Sequence, residues 1–219
     1  MNKIILKSKL KSKIFEVLIG HIQKNKKSYI IICLIFLLGF VMGIMFINNS
    51  TGEGISQIGE YTKSLFTNLN EAQQINYTSI LKESIIINFI LVLVIWIASA
   101  TIIGIPAVYT EIAFKGFSIS YTISSILTTF GIKNGIIYSF AGLFIHNLIC
   151  IPVLFATAVS GMKMYKSILQ NRKKENVKIE FLRHTIFCIL MFVLLVIASL
   201  VETYISINLL RVTFGFIKM

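Results

Sequence analysis

A chain of 219 residues that is 56% apolar and only 14% charged falls well below the roughly 25% charge of an average soluble domain. Its 21 Lys and Arg outnumber 9 acids, all of them Glu, for a formal charge of +12, which points to a polyanion. The apolar mass lies in long uninterrupted runs, so that polyanion is the anionic inner leaflet of a membrane, and nucleic acid is excluded as a partner.

Residues 1–28 form the first predicted element. Leu6, Leu10, Ile14, Val17, Leu18 and Ile22 recur at helical spacing among lysines. This pattern predicts a basic amphipathic helix on the inner membrane surface. The first charge-free run, 29–47, is long enough to cross a bilayer. Asn48-Asn49-Ser50 follows it in place of a small-x-small cleavage site, so it reads as an uncleaved anchor. Gly39 and Gly43 stand four apart within it and permit close helix approach. Both packing inside the bundle and a homo-oligomer fit that spacing.

Residues 48–83 carry four Glu and two Lys and predict two short amphipathic helices on the outer surface, with Ile55, Ile58, Thr62, Leu65 and Leu69 on one face. The second run, 84–110, holds Gly104-Ile-Pro106 near its inner end. That punctuation reads as a helix ending before a tight turn containing Glu111 and Lys115, or as a break of the kind that marks transporter sites. The third run, 116–132, starts at Gly116 and is rich in hydroxyls, among them Ser118, Ser120, Ser124 and Thr128. Such a helix should be wrapped by neighbours, its hydroxyls bonding to backbone or across helices.

The fourth run, 134–162, places Ser139, Gly142, His146, Cys150, Thr157 and Gly161 on roughly one face and contains Pro152. His146 and Cys150 are too few for a metal site. Residues 163–184 carry seven Lys and Arg and predict a cytoplasmic loop. The fifth run, 185–210, is broken only by Glu202, the sole acid within a run and a functional candidate for that reason. The three cysteines, Cys33, Cys150 and Cys188, read as buried structural thiols.

The expected fold is an all-α polytopic membrane protein. It has five transmembrane helices, N-terminus in and C-terminus out, with 16 Lys and Arg inside and 5 outside. Residues 29–219 form one membrane domain. The chain has no Asp, no P-loop and no nucleophile elbow. The expectation is therefore no enzyme, no catalytic residue, no cofactor and no metal.

Five features in order resemble the stage II sporulation protein M family. They are Gly39 with Gly43, Gly104-Ile-Pro106, Phe114-Lys115-Gly116, His146-Asn147-Leu148-Ile149-Cys150-Ile151-Pro152, and Leu200-Val201-Glu202. The likeness covers nearly all the chain after about residue 20. Asn147 and Cys150 depart from the His-Gly and Glu-Leu-Pro pattern of the wider family, which makes a shared ion site or proton path less expected.

The resemblance implies a non-catalytic scaffold for forespore engulfment. It would anchor or position peptidoglycan hydrolases at the septal membrane of the mother cell, with stage II sporulation proteins P and D as partners. The competing reading is a small-solute or ion transport subunit of the bacterial inner membrane. A continuous cavity past Ser124 and His146 would favour transport; a closed bundle with an outer segment would favour the scaffold.

Overall fold

The structure, a computed structural model, describes residues 23, 25–71, 75–101, 104–170 and 174–218. The amphipathic helix expected in residues 1–28 falls almost wholly outside them, as does Met219. Helices make up nearly all of what is described, and no strand occurs among those residues. In chain order they are α1 (Lys26–Asn48), α2 (Gly52–Glu71), α3 (Tyr77–Ser99), α4 (Gly104–Ser139), α5 (Ile145–Gln170), α6 (Lys174–Val201) and α7 (Ile207–Lys218). π-helical turns at Phe140–Phe144 and Glu202–Ser206 join α4 to α5 and α6 to α7.

Four continuous helical stretches are long and apolar enough to cross a membrane: Lys26–Asn48, Tyr77–Ser99, Gly104–Leu169 and Val177–Phe216. Their outward faces confirm the setting. Leu38 and Met42 on α1 are 65% and 62% exposed, and large aliphatics line the same face along its length. Water would not tolerate such a belt; lipid does. The chain is a multi-pass membrane protein.

The 66-residue stretch would reach about 100 Å if straight, three times the hydrocarbon core. It folds back at Gly131, whose φ of 78° and ψ of 166° lie in a region open essentially to glycine alone. Leu127 then meets Gly135, and Phe130 packs edge-on against Tyr138 at 5.2 Å between ring centroids. The arms on either side of Gly131 therefore run antiparallel.

Several expected boundaries move. The second helix is Tyr77–Ser99, not 84–110, and Asn76 caps its start by accepting from Ser79 N at 3.1 Å. The second helix ends at Ser99, and α4 begins at Gly104. Pro106 thus lies in a first helical turn, where its missing N–H costs nothing. Lys115, expected in a tight turn, lies eleven residues inside α4. The run 116–132 is only part of that helix. Glu111 and Lys115 are charged, yet neither interrupts the helix.

The expected loop 163–184 is mostly helix: α5 continues past Met162 to Gln170 and α6 starts at Lys174. Charges among its described residues ride on helix surfaces, as in the Arg183–Glu180 pair at 2.7 Å. The segment 48–83 holds one 20-residue helix, α2, among its described residues, in place of two short ones, and its last turns belong to α3. Of the three cysteines, Cys150 and Cys188 are buried and Cys33 is exposed.

Two cores hold the bundle. The larger joins α1, α3, α4, α5 and α6 around Ile32, Ile95, Ile112, Leu154 and Leu195. The smaller sits at the end of the bundle where α2 lies, and packs Phe66 against Phe130, Tyr138 and Phe214. Their ring centroids lie 4.8, 5.4 and 5.5 Å from Phe66. Thr62 adds a hydroxyl contact to Ser125 at 2.7 Å. The buried residues of α2 are thus Thr62 and Phe66, while Ile55 and Leu65, expected on the packed face, are exposed.

Candidate functional site

The singled-out residues form two groups. Gly39, Gly43 and Gly116 belong to the seam between α1 and α4, the most extensive helix pair. A Cβ added to Gly39 would overlap the Ala113 carbonyl, and one added to Gly43 would lie 2.5 Å from Phe117 O. From the other side, a Cβ on Gly116 would overlap Phe36 O. Both helices run in the same direction and present small residues four apart, so their backbones touch directly. The Gly39–Gly43 spacing is used inside the molecule. Gly104 is packed in the same manner, against the Ala98 carbonyl and the Tyr165 ring. Pro152 lies within α5 without breaking it.

The second group is a polar centre in the membrane-spanning bundle. The Ser84 hydroxyl donates to Glu202 Oε2 at 2.5 Å and lies 2.9 Å from Ser199 Oγ. Asn88 Nδ2 donates to the same Ser199 Oγ at 2.9 Å. His146 Nδ1 stands 3.6 Å from Glu202 Oε2 and 3.1 Å from the Ala198 carbonyl. A carbonyl can only accept, so Nδ1 carries the hydrogen and Nε2 accepts. Cys150 Sγ, 3.2 Å from Nε2, supplies the thiol hydrogen. Each partner fixes the next, and Glu202 is compensated by donors in place of bulk water.

A cavity of about 320 Å³ opens onto this network. Its α3 wall is Ile80, Glu83, Ser84, Ile87 and Asn88. The other helices contribute Lys115, His146 and Glu202. Sequence reasoning thus found three members in Lys115, His146 and Glu202, although it placed Lys115 in a turn. It missed Ser84, Asn88 and Ser199. The available signal was Ser84 and Asn88 one helical turn apart in an otherwise apolar helix.

The two π-helical turns pack against one another beside this centre. Around them Ser139 Oγ, Asn147 Oδ1, Thr203 Oγ1 and Ser206 Oγ are buried without a hydrogen-bond partner among the described residues. π-turns widen a helix and recur at functional positions. By contrast three threonine hydroxyls of α4 are satisfied locally. Thr122, Thr128 and Thr129 donate to the carbonyls of Ser118, Ser124 and Ser125. No group of three or more His, Cys, Asp or Glu residues placed to hold a metal ion occurs among the described residues.

A second histidine, His184, was not singled out. It is buried, with Nδ1 2.9 Å from Ser160 Oγ and Nε2 3.5 Å from Cys188 Sγ. It pins α6 to α5 at the end remote from α2.

Comparison with protein-family models matches residues 32–207 to stage II sporulation protein M. Comparison with curated proteins and with solved structures returns no match. The matched stretch takes in the glycine seam, Gly104 and every member of the polar centre.

Proposed function

The chain belongs to the stage II sporulation protein M family, and on that premise we propose that it is a non-catalytic membrane scaffold for forespore engulfment. It crosses the mother-cell membrane five times at the sporulation septum, N-terminus in and C-terminus out. There it anchors or positions peptidoglycan hydrolases, with stage II sporulation proteins P and D as the partners. The family match over residues 32–207 carries this reading.

Other observations support it. The fold at Gly131 divides Gly104–Leu169, one of four candidate stretches, into two antiparallel arms, which supports the reading of five crossings. With Lys115 inside the membrane, fifteen Lys and Arg fall on the inner side and five on the outer. α2 then lies outside, where its free face displays Tyr61 and Leu65 to a partner. The glycine seam holds α1 rigidly, as an anchor requires.

The transport reading has one observation in its favour, the polar cavity at His146. Ser124 does not line that cavity, and beyond it Ile95, Val108, Ile112, Leu154 and Ala158 are packed to 1% exposure or less.

The test is biochemical. The protein, tagged and purified from sporulating membranes, should bring down a peptidoglycan hydrolase and should itself release no glycan or peptide from purified sacculi. Cleavage by the isolated protein would reject the non-catalytic half. Recovery without any hydrolase would reject the scaffold half.

A further inference from the structure

The polar cavity is more elaborate than anchoring requires. It begins in the first turns of α3, where Glu83 is exposed, and ends at Asn88. Asn88 lies eleven residues into α3 and Lys115 eleven residues into α4, each about 16 Å from its helix start and so near the middle of the bilayer. The two helices enter from opposite ends, so these side chains meet at mid-depth. The cavity is therefore a vestibule that runs from the exposed first turns of α3 to the tight core below Asn88.

Its charges are of both signs and are not spent on one another. No carboxylate lies within 4.0 Å of the Lys115 ammonium among the described residues, and Glu83 has no cationic partner there either. Among the described residues Ser84 and His146 approach Glu202 through Oε2, and its side chain is 36% exposed. Glu111, one turn earlier on α4, lies within electrostatic reach of Lys115 but does not line the cavity; an ammonium at this depth without a close ion pair is costly and rare. The Ser84 hydroxyl, networked with Ser199 and Asn88, meanwhile bonds Glu202, and His146 stands 3.6 Å from it, which orients the carboxylate as a preorganised site demands.

We propose that this vestibule binds a zwitterionic group, one ammonium joined to one carboxylate or phosphate. The acid group pairs with Lys115 and the ammonium with Glu202 and Glu83. A simple anion meets two carboxylates and a simple cation meets Lys115, so neither satisfies the site; a ligand with both charges does. About 320 Å³ is at the small end of ligand pockets, which suits an amino acid or a lipid headgroup of the ethanolamine kind. The site is independent of the scaffold role.

The experiment uses the full chain in nanodiscs of phosphatidylglycerol alone. Thermal unfolding is followed with millimolar L-alanine, acetate or ethylamine, and again in nanodiscs containing phosphatidylethanolamine. A saturable rise with alanine, absent with acetate and with ethylamine, assigns a free solute. A rise with phosphatidylethanolamine alone assigns the headgroup. In either case Lys115→Met, a change that removes a membrane charge, should weaken binding about 30-fold or more, and Lys115→Arg should retain most of it. Variants are compared only where size-exclusion profiles match the parent. No rise with any zwitterion, an equal rise with acetate, or a rise that survives Lys115→Met overturns the proposal.

Discussion

Gly39→Ala adds one methyl group where α1 and α4 touch backbone to backbone. The new Cβ would overlap the Ala113 carbonyl and lie 2.8 Å from Ala113 Cα. Both atoms belong to a helix backbone, which cannot swing aside as a side-chain end can. The helices must separate, and the contacts at Gly43 and Gly116 along the same seam loosen with them. Overpacking of this kind costs about 1–3 kcal/mol, and the shared seam places the loss in the upper half of that range. Alanine's better helix propensity returns up to about 1 kcal/mol. The net expectation is a loss of about 1–2 kcal/mol, or roughly 5- to 30-fold in the folded-to-unfolded ratio. The single tryptophan, Trp96, donates to Thr185 across α3 and α6, so its fluorescence reports unfolding in micelles. Two controls bracket the effect: Gly52→Ala, where nothing lies within 4 Å, and Met42→Ala on the lipid face of α1. Both should be close to neutral. If Gly39→Ala were as stable as Gly52→Ala, or changed only the oligomeric state, the seam would not be the internal contact described.

Gly131→Ala forces a side chain into a backbone conformation that L-residues rarely adopt, and the same fluorescence assay should show a loss of about 1–3 kcal/mol; parental stability would remove the hairpin turn from the account. For topology, an impermeant thiol reagent applied to intact cells should label Lys63→Cys on α2 and spare Lys166→Cys near the end of α5, and the reverse pattern would invert the orientation. Glu202→Leu leaves Ser84 and His146 facing an apolar chain and should lower protein abundance on immunoblots, whereas Glu202→Gln can still accept from Ser84 and should be close to parental. Equal loss in both variants would mean that the charge, not the hydrogen bonding, holds α6 in place.

The helical membrane architecture was legible because aliphatic runs near 20 residues have no other explanation. The Gly39–Gly43 seam was legible as a close approach, and its partner face of Ala113 and Gly116 could be seen only once α1 and α4 were side by side. Span edges were read poorly for a physical reason. Charge was taken to end a helix, whereas Glu111 and Lys115 are good helix formers, and Lys115 has a polar cavity to face. Gly104 and Pro106, the true punctuation, start α4 where the charge-free rule ran through them. His146 and Glu202 were each visible as rare polar residues in apolar runs. The network joining them was not, since Ser84, Asn88 and Ser199 are individually ordinary and converge only through packing. The aromatic lock of Phe66, Tyr138 and Phe214 escaped for the same reason: its members come from three separate helices.

The scaffold role is tested most directly by where the hydrolases go. In sporulating cells, a fluorescently tagged peptidoglycan hydrolase of the engulfment machinery should sit at the septum when this protein is present and spread over the mother-cell membrane when it is deleted. Re-expression of the parent chain should restore the septal focus. Hydrolases that stay focused at the septum without it would contradict the central claim.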